Sequence, residues 1–329
     1  MSQVAKLAPV SKEILLSELS ALELFDGITL DINMTCRQAS EFMLEKDFLS
    51  LGVVNDQGML HGFYSIRFFL HEIMYKGIDL DTPLIDVIFK NPLEIHLEDP
   101  LLKVLNQCNH RPEAVFPVLG NDGKVIHNFW IKDIITFLCK VFKKSLDGLG
   151  SINEKNFYDL IPEDDYKEEE PIEGEIKILN LVSPLRRVVG SRLVVSENNL
   201  SVAEVINNLV EEDANMFILS KFGIDMVGVV TDRILFQNFY DKNIKDLYEL
   251  PIKDYLGSPP ELLLEEHLVG NALSAFGANN SRRMIVVDRD LVPIKVLEPV
   301  DLIRYLNSGI LGDLWLQLKS SLPSQNKNE

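Results

Sequence analysis

Apolar residues run along this chain in a short cycle that is written four times. In the clearest copy Val202, Val205, Ile206 and Leu209 stand at helical spacing, Ser201 precedes them as an N-cap, and Glu204 follows where a capping box requires it. Next come a β-type run, Met216-Phe217-Ile218-Leu219, a turn, and a second run from Met226 to Val230. In the fourth copy Met284-Ile285-Val286-Val287 and Ile294-Lys295-Val296-Leu297 flank the turn Asp288-Arg289-Asp290. Pro299 then opens a helix, a position where its missing N–H leaves no bond unmade. The cycle predicts β-α-β-β-α, in an α/β chain.

The copies can be superposed on the sequence itself. Shifted by 168 positions, the stretch from Ile85 meets the stretch from Lys253: Asp86 falls on Asp254, Pro92 on Pro260, Leu105 on Leu273 and Asp133 on Asp301. At a nearby offset Gly62-Phe63-Tyr64-Ser65-Ile66-Arg67 matches Gly228-Val229-Val230-Thr231-Asp232-Arg233. Four units follow, at 28–75, 84–142, 188–241 and 250–307. A unit of this size is marginal as an independent core, and one face of its sheet is left open for a second copy to cover. Pairing into two modules, 28–147 and 178–310, is therefore expected.

The remaining segments read differently. Residues 1–27 contain a predicted amphipathic helix, Ser11 to Phe25, stopped by Gly27, and 311–329 a last short helix, Leu311 to Leu318, with a polar tail. Between the modules, 148–177 carries Glu163, Asp164, Asp165, Glu168, Glu169, Glu170, Glu173 and Glu175 with Pro162 and Pro171, the composition of an extended, solvated linker.

Composition narrows the function. The chain has 329 residues, 46% of them hydrophobic, enough for a substantial core. No apolar run reaches the ~18–20 residues that cross a bilayer and no apolar stretch follows the first residues, so a cytoplasmic protein without membrane insertion is expected. A net charge of −18 disfavours nucleic acid as the main partner. Three widely spaced cysteines do not build a disulfide framework, and Cys108 with His110 lacks the second ligand pair a zinc site needs, so no metal is expected.

The β-α-β-β-α cycle, the word GVVTDR at Gly228–Arg233, and the two strand-Asp-helix passages at Asp133 and Asp301 resemble the cystathionine-β-synthase (CBS) domain. Two consecutive CBS motifs make a Bateman module, so the chain resembles a tandem-Bateman protein of four CBS motifs, similar in layout to the γ subunit of AMP-activated protein kinase. The resemblance implies adenine-nucleotide binding between paired motifs: a carboxylate on the last helix for the ribose hydroxyls, a Ser or Thr three residues earlier for phosphate, and a basic residue before the central strand. Here Asp133 and Asp301 stand at the ribose position, while Trp130 and Glu298 replace the hydroxyl. Thr231 and Ser65 keep the hydroxyl, but Ile234 and Phe68 replace the carboxylate. Arg282 and Arg283 precede the central strand of the fourth unit, and Arg186 and Arg187 lie near the third. The second unit offers only Arg111 beside Pro112-Glu113-Ala114, so the resemblance favours a ligand near Asp301 in the second module. The plainer alternatives are a capping role for each aspartate, inward packing for Thr231 and a solvated surface pair for the arginines.

The expected function is a regulatory protein that binds AMP, ADP or ATP as a signal rather than a cofactor, and modulates a partner protein. The alternative is a ligand-independent scaffold with degenerate pockets. No GxGxxG, P-loop, HExxH or GxSxG word is present, so no enzymatic activity is expected. Apolar faces on the two terminal helices point to a homodimer, although two modules in one chain can also close on each other.

Overall fold

The computed structural model describes residues 6–88, 93–109, 115–153, 155–159, 167–168, 171–279 and 281–321. His110, Arg111, Pro112-Glu113-Ala114, the acidic residues 163–165, 169 and 170, and the tail beyond 321 lie outside the described residues.

The repeat in the sequence is a repeat of strand register. In unit 1, Leu30–Asp31 pairs in parallel with Ser50–Val54, which pairs antiparallel with Leu60–Ser65. Unit 3 repeats this with Arg192–Ser196, Ala214–Lys221 and Asp225–Val230, and unit 4 with Leu262–Leu264, Met284–Val287 and Pro293–Leu297. Leu30 faces Val53 and, 166 residues on, Ser196 faces Leu219. Unit 2 keeps its hairpin, Val115–Leu119 with Val125–Trp130, but its first strand shrinks to His96 paired with Leu119, which is the register of Leu264 on Val287. Phe25–Asp26 adds an antiparallel strand to the other edge.

The first helices of units 1 and 3 start where their caps dictate. Thr35 accepts the Gln38 amide and Ser201 the Glu204 amide, and each N3 side chain reaches back to the cap, for helices Cys36–Glu45 and Val202–Glu211. The corresponding helices of units 2 and 4 are Leu101–Cys108 and Val269–Ala278. The second helices are Asp232–Phe239, Ile131–Val141 and Pro299–Asn307. In unit 1 the turn Ile66–Phe68 runs on as a wider π-type coil, Phe69–Tyr75.

The cores decide how the units assemble. Met216, Ile218, Ile285 and Val287 join the sheets of units 3 and 4. Ser50, whose hydroxyl accepts the Val115 amide at 3.1 Å, joins the sheets of units 1 and 2. The two larger cores run between modules. Met43, Phe69 and Ile73 of unit 1 share one with Val205, Leu209 and Phe236 of unit 3, and Leu102, Ile135 and Leu138 of unit 2 share the other with Leu273, Leu302 and Leu306 of unit 4. Each unit thus buries its sheet against its module partner and its helices against the other module, and the ring closes within one chain.

Three expectations are corrected. Ser11 to Phe25 is not one helix: it holds a strand Val10–Ser11, a turn of helix Lys12–Leu15 and a 3-10 turn Leu19–Ala21. The Leu19 amide donates to Asp99 O and the Leu101 amide to Ser17 O, so pairing with unit 2 replaces the helical bonds while Leu15, Leu19 and Leu22 still reach the core. Gly27 serves a close approach rather than a helix end, since a Cβ there would stand 2.9 Å from the Ile126 carbonyl carbon. Described residues at both ends of the inter-module segment are anchored rather than solvated: Glu175–Ile176 pairs with Val10–Ser11, Ile176 is buried, and the Phe157 carbonyl bonds His267 Nε2 at 2.6 Å.

The last helix, Ile310–Ser321, buries Leu311 and Leu314 and rests Trp315 on the core shared by units 2 and 4. The two terminal segments thus bury Leu15, Leu19, Leu22, Leu311 and Leu314 inside the chain, while Ile14, Leu16 and Leu316 stay exposed. Among the described residues no helix is long and apolar enough to cross a membrane.

Candidate functional site: a cleft between the modules

A cleft of about 1370 Å³ opens where the four units meet. Asp133, Thr231, Arg282, Arg283 and Asp301, named from the sequence in separate units, all line it, as do Ser65, Trp130 and Glu298. Arg186 and Arg187 are exposed in a 3-10 turn and are not among its lining residues. The cleft belongs to both modules rather than to the second alone.

Arginine marks it out. Among the described residues Arg67, Arg192, Arg233, Arg282, Arg283 and Arg304 line it, six of the chain's eleven arginines, against one of its 21 lysines, Lys132. Among the same residues as many acidic as basic side chains face the cleft, seven of each, on a chain of net charge −18. The planar fork of arginine suits carboxylate and phosphate oxygens in pairs, which the ammonium of lysine does not.

The aspartates of the second helices sit alike. Asp133 Oδ2 accepts the Trp130 amide at 2.8 Å and Asp301 Oδ2 the Glu298 amide at 2.9 Å, each from the third helical position back to the cap residue. Asp301 is buried and also accepts from Arg304 Nη1 at 3.0 Å. Burial, aided by the nearby Glu298 charge, pushes its carboxyl up to about 7 in spite of the amide and Arg304. Burial also raises Asp133 above the ordinary carboxylate range. The capping role expected as the plainer alternative is thus real, and it holds each carboxylate at the cleft wall.

The hydroxyls behave in the same way. Thr231 Oγ1 accepts the Ile234 amide at 3.4 Å and Ser65 Oγ the Phe68 amide at 3.1 Å, which leaves each O–H to donate elsewhere.

Arg282 and Arg283 part company. Arg283 is held between two carboxylates, Nη1 on Asp232 at 2.7 Å and Nε on Glu298 at 2.6 Å. Burial by itself lowers its pKa, but Asp232 and Glu298 outweigh that and hold the guanidinium above its ordinary value. Burial raises Asp232 in turn, and Arg283 overrides it and keeps the carboxylate below the usual range. Glu298 Oε2 also accepts from Asn215 Nδ2 at 2.8 Å, so the charge that would oppose a phosphate is already compensated.

Arg282 lies over the Trp130 ring, 5.7 Å from its centroid, and reaches Asp47 Oδ2 at 3.5 Å. Its buried Nη1 has no hydrogen-bond partner, and desolvation with the neighbouring Arg233 lowers its pKa. Trp130 itself stacks on Phe48 at 5.4 Å and Phe25 at 5.9 Å, as an interface residue.

Four further arginines of the cleft, Arg67, Arg192, Arg233 and Arg304, lie outside the residues expected from the sequence. Two of them were signposted, because the matched words at Gly62 and Gly228 both end in arginine. In the structure each crosses to the other module: Arg233 Nη2 donates to Asp47 Oδ1 at 2.6 Å and Arg67 Nη2 to Asp213 Oδ1 at 2.7 Å. Arg304 gave no such sign, since its counterpart in unit 2 is Thr136.

No family profile matches the sequence, and no curated protein matches it. Solved structures do. Protein MJ1225 from Methanocaldococcus jannaschii, described as a candidate archaeal homologue of g-AMPK, superposes with a TM-score of 0.61 at 13% identity, over 88% of this chain and 99% of that one. A conserved protein from Pyrococcus horikoshii gives 0.50 at 13% identity over the same shares. CBS domains of a transcriptional regulator from Streptococcus pneumoniae match 36% of this chain and 96% of theirs, at 12% identity and a TM-score of 0.31.

Proposed function

We propose that this chain, whose fold is that of a tandem CBS-domain protein with four motifs in two modules, is a regulatory protein. Its ligand is an adenosine-type nucleotide such as AMP, ADP or ATP, held in the inter-module cleft, and its output is a change in how it engages a partner protein. The carrying observation is the gathering of six arginines at that cleft on a strongly acidic chain.

The division of labour follows from the geometry. Asp301, fixed by the Glu298 amide, presents Oδ1 for ribose hydroxyls once Arg304 turns aside. Arg282, with an unpartnered Nη1 and one long contact to Asp47, is the arginine best placed to take a phosphate. Arg283 fixes Asp232 and Glu298 and so shapes the wall rather than meeting the ligand. Because both modules line the cleft, a ligand there responds to their separation, and it shifts the protein to the extent that it prefers one separation. No catalytic role is assigned to any residue.

One observation favours a ligand-independent scaffold: Arg67, Arg233 and Arg283 are already paired with carboxylates. Calorimetric titration with AMP, ADP and ATP separates the readings. Saturable binding at micromolar to millimolar concentration supports the regulatory reading, and no heat with any of the three leaves the scaffold.

A further inference from the structure

Asp47 follows the first helix of unit 1 in a left-handed conformation, φ 57°. Its amide donates to Leu44 O and the Phe48 amide to Met43 O, the bonding of a helix terminus that ordinarily takes glycine. Asp213 follows the first helix of unit 3 in the same way, at φ 49°, with its amide on Val210 O. A side chain in this conformation is strained where a glycine would not be. Both positions carry a carboxylate, and both carboxylates cross to an arginine of the other module.

The two are not equivalent beyond that. Arg67 keeps a second partner, Asn215 Oδ1, whereas Asp47 alone bridges two arginines, Arg233 and Arg282, beside the unpartnered Nη1 of Arg282. Two guanidinium groups converging on one exposed carboxylate present the donor pattern of an oxyanion site.

We infer that Asp47 is a tethered carboxylate occupying an anion site, so that an incoming phosphate and the cross-module bond of Asp47 compete for Arg233 and Arg282. This rests on the proposed reading of the cleft and adds how it is regulated. Filling the site releases Asp47, and with it one of the two reciprocal ties between the modules. A solvated carboxylate holds such a site only weakly, which leaves it open to displacement.

The test compares wild type, Asp47→Asn and Asp213→Asn in thermal unfolding, titrated with sodium phosphate at constant ionic strength and, separately, with AMP. Asp47→Asn is expected to bind phosphate about three- to tenfold more tightly than wild type. Asp213→Asn, which breaks the matching tie without vacating the Arg282 site, is expected to stay at the wild-type value. Equal phosphate affinity for wild type and Asp47→Asn, including no response from either, overturns the inference, as does an equal gain in Asp213→Asn. The AMP arm judges the nucleotide reading on its own: AMP no tighter than phosphate removes the adenosine while the competition stands, and tight AMP binding indifferent to Asp47→Asn does the reverse.

Discussion

Asp47 and Asp213 hold the same left-handed position 166 residues apart, and each bonds the arginine that lies 166 residues from the other's partner. The contact between units 1 and 3 is thus isologous: the surface that gives a carboxylate on one side receives one on the other. This is the rule of a two-fold dimer interface, here met inside a single chain. The residues of both ties line the cleft, so the symmetry of the repeat places charge where the modules meet.

The strain at these positions is measurable. Asp47→Ala loses the ion pairs and keeps the unfavourable backbone, while Asp47→Gly loses the pairs and relieves it. We expect Asp47→Gly to be more stable than Asp47→Ala by about 1 kcal/mol, read from urea denaturation midpoints. Equal midpoints would mean the backbone at Asp47 carries no strain.

Asp301 should leave a pH signature. Its folded-state pKa, about 7, lies above the ordinary 3.8 of an unfolded aspartate, so the folded chain binds the proton more tightly between these values. Its contribution to stability is present below about pH 4 and is lost as the pH rises towards 7, over a range of roughly a few kcal/mol. Asp301→Asn keeps an acceptor for the Glu298 amide and removes the charge. The difference in unfolding free energy between this variant and wild type should therefore grow in the variant's favour from pH 4 to pH 8. A constant difference across that range would show Asp301 ionised throughout.

For the ligand, Asp301→Ala should weaken AMP binding by about tenfold to a hundredfold, the worth of a charged hydrogen bond. Asp133→Ala should weaken it much less, because among the described residues unit 4 gives the cleft Arg282, Arg283 and Arg304 and unit 2 only Lys132. Calorimetry with both variants decides this, with ligand-free melting as the control for a lost helix tie of ~1 kcal/mol. Equal losses in the two variants would move the site to the centre of the cleft.

Arg283→Met should destabilise the fold strongly, by about 3–5 kcal/mol, because buried Asp232 and half-buried Glu298 then lose their counter-charge. The double variant Arg283→Met with Asp232→Asn should recover part of that loss. Chemical denaturation measures both, and a loss below about 1 kcal/mol would place Arg283 with the exposed pairs instead.

The edge-to-face contact of Phe69 and Phe236, 5.1 Å between centroids, tests whether one core spans both modules. Either Phe→Ala substitution should cost about 3–5 kcal/mol, and the double variant less than the sum. Strict additivity would argue that the modules fold as independent bodies.

The unit is legible along the chain. Helical spacing, the cap Ser201, and the offsets of 166 and 168 are short-range or self-referring features, and the strand registers repeat at those offsets. The shared setting of Asp133 and Asp301 was legible for the same reason, since a third-position carboxylate reaching its own cap needs nothing from outside the helix. Which apolar faces meet is settled by packing. The open sheet face pointed to a module partner, but periodicity cannot say that the helices of unit 1 then meet unit 3 and those of unit 2 meet unit 4. The terminal segment shows the same limit: Leu15, Leu19 and Leu22 have helical spacing, yet backbone bonds to Asp99 and Leu101 hold them in an irregular path. At the cleft, adjacent Arg282 and Arg283 look alike in sequence. Their fates divide because Asp232 and Glu298 flank one and Asp47 of the other module reaches the other, and charge partners that far apart in the chain are chosen by packing alone.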